Sequence, residues 1–126
     1  KKVDKKMDKV NFITIEHDQD QDIVISLSFD EGTEFGIDGF TIQRAPSLEF
    51  FLEKEERGAC IEWEDDDIRV LLDKVHISRE VITMTTKGKV NHYSFDISNI
   101  PDNEFSSLVE HFHLINFDSS ININTD

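Results

Sequence analysis

The first apolar segment, Val10-Asn11-Phe12-Ile13-Thr14-Ile15, gives way to a polar run from His17 to Asp22. Beyond it, Ile23, Ile25, Leu27 and Phe29 fall on one face, with Ser26 and Ser28 opposite. That period of two belongs to a half-buried strand, so the two segments predict a strand pair around a turn. Residues 30–39 hold Gly32, Gly36 and Gly39 among acids and read as a loop. The loop leads to a third strand, Phe40-Thr41-Ile42-Gln43-Arg44, which Pro46 ends. A fourth strand is expected over 48–53, and Glu55-Glu56-Arg57-Gly58 makes a charged turn into a fifth over 60–64, where Ile61 and Trp63 share a face. The run 68–72 gives another strand, and 81–86 pairs with 90–97 through Lys87-Gly88-Lys89. Residues 73–79 match neither template.

One segment has a helical period. Phe105, Leu108, Val109, Phe112 and Ile115 form a single apolar stripe after Pro101. Pro101 presets the entry to the first turn, and Asp102 and Glu104 place negative charge at the positive end of the helix dipole. Such a helix should cover one face of a sheet. The predicted class is α+β: an antiparallel, mostly β-sheet domain with one C-terminal amphipathic helix packed on it. The domain is read over 7–117. Lys1-Lys2-Val3-Asp4-Lys5-Lys6 reads as a basic leader before Met7, and 118–126 as a polar tail expected to fray.

Composition sharpens this picture. The 126 residues carry 13 Lys and Arg against 27 Asp and Glu, a formal charge of −14, and four of those bases lie in the leader. Ten Phe, one Trp and one Tyr supply the large buried areas that a disordered acidic chain lacks. An excess of acids argues against nucleic-acid binding, which needs clustered Lys and Arg to displace counterions, and favours a basic macromolecule as partner. A lone cysteine, Cys60, cannot form an internal disulfide and reads as a small core residue. No apolar run approaches the ~18–20 residues of a membrane span, so a cytoplasmic protein with no membrane partner is expected.

No catalytic motif or cofactor site emerges. Asp18-Gln19-Asp20-Gln21-Asp22 resembles the start of a calcium loop, but the sixth position is Ile23 instead of Gly and the twelfth is Phe29 instead of Glu. His111 and His113 stand two apart on the helix, where a metal-binding pair needs three or four, so no metal site is expected. The glycines of 32–39 do not join a strand to a helix as a phosphate cradle requires. What remains is charge. Glu62-Trp63-Glu64-Asp65-Asp66-Asp67 sets five acids around the only Trp, and Glu53, Glu55 and Glu56 add to the same field. Acids crowded in this way repel one another, and a cationic partner relieves that cost. An exposed Trp63 would supply the aromatic anchor inside a charged rim; a buried one would belong to the core.

The strand Phe40-Thr41-Ile42-Gln43-Arg44, the short acidic strands through Trp63 and Leu71-Leu72, and Tyr93-Ser94-Phe95-Asp96-Ile97 leading into the helix over 103–115 together resemble the immunity proteins of bacterial polymorphic-toxin and contact-dependent growth-inhibition systems. The resemblance covers about residues 38–117. It implies a cytoplasmic non-enzyme that binds one cognate basic toxin domain, often a nuclease, one to one and blocks its active site. It supplies no catalytic residues. The toxin-binding surface expected from the charge pattern is Glu53, Glu55, Glu56, Glu62, Trp63, Glu64, Asp65, Asp66 and Asp67. Two alternatives stand beside it: a general acidic interaction module or DNA-mimicking inhibitor, released from many basic partners by salt, and a small enzyme using paired carboxylates.

Overall fold

A computed structural model describes residues 8–29, 39–62, 70–88 and 92–126. Among these residues are eight strands: β1 (Asp8–His17), β2 (Ile23–Phe29), β3 (Gly39–Arg44), β4 (Cys60–Glu62), β5 (Val70–Ile77), β6 (Val81–Thr86), β7 (His92–Asp96) and β8 (Asn122–Thr125). Helix α1 spans Asp102–Ile115, and two 3₁₀ helices, Pro46–Phe51 and Lys54–Glu56, lie between β3 and β4. The strands run in the order β4-β3-β2-β1-β7-β6-β5-β8, and β4 also pairs with β5, so the sheet curls back on itself. Both closing seams are short among the described residues. β1 meets β7 at Asp8↔Phe95 and Lys9↔Asp96, and β4 meets β5 at Cys60↔Leu71 and Ile61↔Val70.

The fold is mostly β with one C-terminal helix packed on the sheet, as the patterning predicts. The sheet is mixed, however, because β1–β7 and β5–β8 are parallel. Strand β2 alternates strictly, with Ile23, Ile25, Leu27 and Phe29 buried. On α1, Leu108, Phe112 and Ile115 are buried while Phe105 and Val109 pack at the margin of the same core, so the apolar stripe is the buried face. Arg79 secures the helix start: its guanidinium donates to the Ile97 and Ile100 carbonyls and to the Asp102 carboxylate, and it lies 5.0 Å from the centre of the Phe105 ring.

Three segments depart from the sequence reading. The expected strand over 48–53 is instead the 3₁₀ helix Pro46–Phe51, because Pro46 has no N–H for a ladder and the chain turns there. Leu48 N–H donates to the Ala45 carbonyl and Leu52 N–H to that of Glu49. Residues 73–77, unassigned from the pattern, continue β5 across a bulge between Leu72 and Lys74. The tail does not fray at 121–125: Ile121 is buried and β8 pairs with residues 74–77 of β5. Asn116, just past α1, fastens it by donating its amide to the Ile121 carbonyl and accepting the Ile121 N–H at 2.8 Å. Cys60 is half-buried in β4, less enclosed than its neighbours Ala59 and Ile61.

Candidate functional site

The strongest polar cluster of the described residues is built on Arg44, at the end of β3. Its side chain is 1% exposed and all five N–H donors are engaged. Nε and one terminal nitrogen donate to the two Glu49 oxygens at 2.7 and 3.0 Å. The terminal nitrogens also reach the Asp118 oxygens at 3.0 and 2.8 Å and the Ile115 carbonyl at 2.8 Å. The Phe117 ring stacks on the guanidinium, 4.1 Å from its carbon. One side chain thus ties β3 to the first 3₁₀ helix and to the C-terminal end of α1. Burial alone would lower the Arg44 pKa, but the bonds to Asp118 and Glu49 raise it above the usual arginine range. In return, Arg44 holds the Asp118 carboxyl well below the ordinary carboxylate value.

This anchoring decides what the 3₁₀ helix presents. With Glu49 turned inward, Leu48, Phe50 and Phe51 turn outward, and the two phenylalanines are 69% and 74% exposed. Their rings stack on each other with centroids 4.0 Å apart. The turn that follows, Glu53 to Arg57, has exposed Glu53, Glu55 and Glu56 together with Lys54 and Arg57, a net charge of −1, and Glu56 folds back to accept the Glu53 N–H. The result is a stacked aromatic pair beside a set of carboxylates in solvent. Large apolar side chains clustered at a charged rim mark interaction surfaces on soluble proteins.

Behind this segment lies a groove of about 360 Å³ between Pro46, Ile23 and the C-terminal end of α1, where Leu114, Ile115 and Phe117 line it. A smaller polar hollow of about 230 Å³ lies between β1 and α1. There Glu104 accepts the Ile13 N–H at 2.9 Å, so its carboxylate serves the edge of β1. Two of the three carboxylates of 18–22 are likewise turned to donors. Asp18 accepts the N–H groups of Asp20 and Asp22, and Asp22 accepts from the N–H and hydroxyl of Ser47. Glu49, the buried carboxylate among the described residues, is held by Arg44 at both oxygens and is no free acid.

Of the nine residues expected to form the binding surface, Glu53, Glu55 and Glu56 are brought together on one turn. Glu62 lies in β4 opposite Thr41. Trp63, Glu64, Asp65, Asp66 and Asp67 lie outside the described residues, and the test set by the exposure of Trp63 lies there with them. The exposed phenylalanines are absent from that expectation. The adjacency Phe50-Phe51 is the signal that could have found them, since neighbouring residues of a strand face opposite sides and both cannot enter one core.

Among the described residues, no helix is long and apolar enough to cross a membrane. No protein-family model matches the chain, and no curated protein and no solved structure matches it at a significant level.

Proposed function

We propose that this chain is a non-enzymatic binding protein of the immunity type, which takes a basic toxin domain one to one, in the cytoplasm, and covers its active site. The observation that carries the reading is the stacked, exposed Phe50 and Phe51 next to Glu53, Glu55 and Glu56, on a chain with a net charge of −14. A nuclease presents Lys and Arg to the phosphates of its substrate, and an acidic surface with an aromatic centre is complementary to such a cleft. Opposite fields raise the encounter rate, and the rings supply the desolvated contact that slows dissociation. A general acidic module would have no use for the rings.

The test is titration calorimetry against a basic toxin domain found in a gene next to that of this chain, made catalytically inactive, and a neighbourhood without such a gene counts against the reading. Replacing Phe50 and Phe51 together with alanine is expected to weaken binding by about 100-fold, chiefly through faster dissociation, because two central aromatic anchors are removed. The triple reversal of Glu53, Glu55 and Glu56 to lysine is expected to slow association and flatten its salt dependence. Unchanged affinity in the Phe50→Ala, Phe51→Ala variant would overturn the assignment of this surface. Release of many basic proteins by modest salt, with no tight partner, would overturn the immunity reading.

A further inference from the structure

Strand β1 has an edge that its neighbours leave open. Among the described residues it pairs with β2 from Val10 to His17, but with β7 only at Asp8 and Lys9. Along an antiparallel ladder, residues alternate between turning N–H and C=O to the paired strand and turning both away from it. The Ile13 N–H goes to Glu104 on α1, at 2.9 Å, and not to β2, so Ile13↔Leu27 is a pair that exchanges no bonds, and Ile15↔Ile25, two residues on, is another. The carbonyls of Ile13 and Ile15 and the Ile15 N–H therefore look out from the sheet towards the helix. They open on the hollow of about 230 Å³, which Ile13, Ile15, Asn103, Glu104 and Ser107 line. Glu104 spends Oε1 on the Ile13 N–H, while its other oxygen accepts no bond among the described residues. Of those lining residues one is a carboxylate and none is a lysine or arginine.

This lining selects its occupant. Its acceptors are a carboxylate oxygen and two backbone carbonyls, with the Ser107 hydroxyl and the Asn103 amide beside them, so a cation with several donors is complementary. An added peptide strand is not, because it would need the Ile13 N–H that Glu104 already takes. A calcium ion would want more than a single carboxylate. A guanidinium has five donors and no acceptor, and it is more weakly hydrated than an ammonium, so it leaves water at lower cost for a space between two isoleucines. The volume falls below the ~300–1,000 Å³ of sites for whole small molecules and suits the end of one side chain. We propose that the hollow between β1 and α1 receives the guanidinium of an arginine carried by a protein partner, with Glu104 as its counter-charge and the Ile13 and Ile15 carbonyls as further acceptors. The carrier rests on the reading of the chain as a binder of a basic domain; the chemistry of the hollow does not.

The probes are three capped tripeptides with arginine, lysine or citrulline between two glycines, titrated into the full chain and followed by amide NMR shifts. The arginine peptide should shift Ile13, Ile15, Asn103, Glu104 and Ser107 and bind at least about tenfold more tightly than the citrulline peptide, which has nearly the same shape without the charge. The lysine peptide, of equal charge, should bind more weakly. Glu104→Gln keeps a side-chain oxygen for the Ile13 N–H, so it should leave the denaturation midpoint unchanged while removing the advantage of arginine over citrulline. Equal affinity of the arginine and citrulline peptides overturns the site. So do equal affinities of arginine and lysine, or shifts scattered over the acidic surface, which would mean attraction to net charge alone. If the arginine peptide binds as expected but calorimetry finds no basic toxin domain as partner, the hollow stands and its assigned carrier falls. If the peptides fail and the toxin domain binds, the hollow falls and the broader reading stands.

Discussion

Replacing Arg44 with alanine is expected to destabilise the fold by about 3–5 kcal/mol, measured by urea denaturation at neutral pH. The size follows from what is left behind. Glu49 would remain buried as a carboxylate without its bidentate partner, Asp118 would lose both of its bonds from Arg44 and keep that from Ser120, and the Ile115 carbonyl would lose a donor at the end of α1. Leaving a buried charge unpaired costs more than the pair itself contributes, because the desolvation is not recovered. The informative control is a double variant: Arg44→Met together with Glu49→Leu should recover most of the loss, since it removes both buried charges and keeps most of the volume. Against a total stability of about 5–15 kcal/mol, the single substitution would leave a substantial unfolded fraction on mild heating.

The same cluster sets an acid limit. The Asp118 carboxyl is held below its ordinary value by the Arg44 hydrogen bonds, so its stabilising contribution is complete above the unfolded-state pKa of about 4. That contribution is lost as pH falls from there towards the depressed folded-state value. Asp96, lowered by bonds from the hydroxyl and N–H of Ser98, acts in the same direction. Denaturation midpoints measured from pH 6 down to pH 2 should therefore fall more steeply for the native sequence than for Asp118→Asn, which cannot titrate at that position.

The second large effect is expected at Phe95, where alanine should cost about 3–5 kcal/mol. Phe95 is 1% exposed on β7, and its ring centroid lies 5.0 Å from those of both Phe29 on β2 and Phe40 on β3. It is also the residue that pairs with Asp8 at the short β1–β7 seam. Where two described ladder pairs join the two halves of the sheet, the aromatic contacts add to the attachment, and a cavity there cannot be closed by a small shift. Phe95→Leu, which keeps most of the volume, should cost about 1.5 kcal/mol. Calorimetric melting of the two variants would separate lost volume from lost ring contact.

Elements whose pattern is local were legible in the sequence. The alternation of β2 and the stripe of α1 each follow from one face of one element meeting the core. Bulges hid the rest of the phase. A register shift between Val10 and Phe12 turns Val10 inward and leaves Phe12 exposed, while Ile13 and Ile15 pack against the core. Another after Leu72 puts Leu72, Val75 and Ile77 on the buried side, an interval that no single period of two contains. The tail was read as polar because Ile121 and Ile123 alone carry its packing, and the partner that makes it a strand lies far upstream. The candidate site was half legible. Charge located Glu53, Glu55 and Glu56, but the inward turn of Glu49, which exposes Phe50 and Phe51, depends on an arginine whose other carboxylate is 74 residues away. No window of sequence contains that contact.

The Arg44 cluster also imposes an order on biosynthesis. Glu49 follows Arg44 by five residues and can meet it early, but Asp118 comes 74 residues later. At a translation rate of about 5–20 residues per second, the nascent chain waits roughly 4–15 s between making the guanidinium and making the carboxylate that completes its shell. Throughout that interval β5 also lacks β8, so the sheet emerges from the ribosome with an open edge and the phenylalanine-bearing segment tethered at one end only. The segment that carries Phe50 and Phe51 takes its final form only after residue 118 has left the ribosome, long after the segment itself has been made.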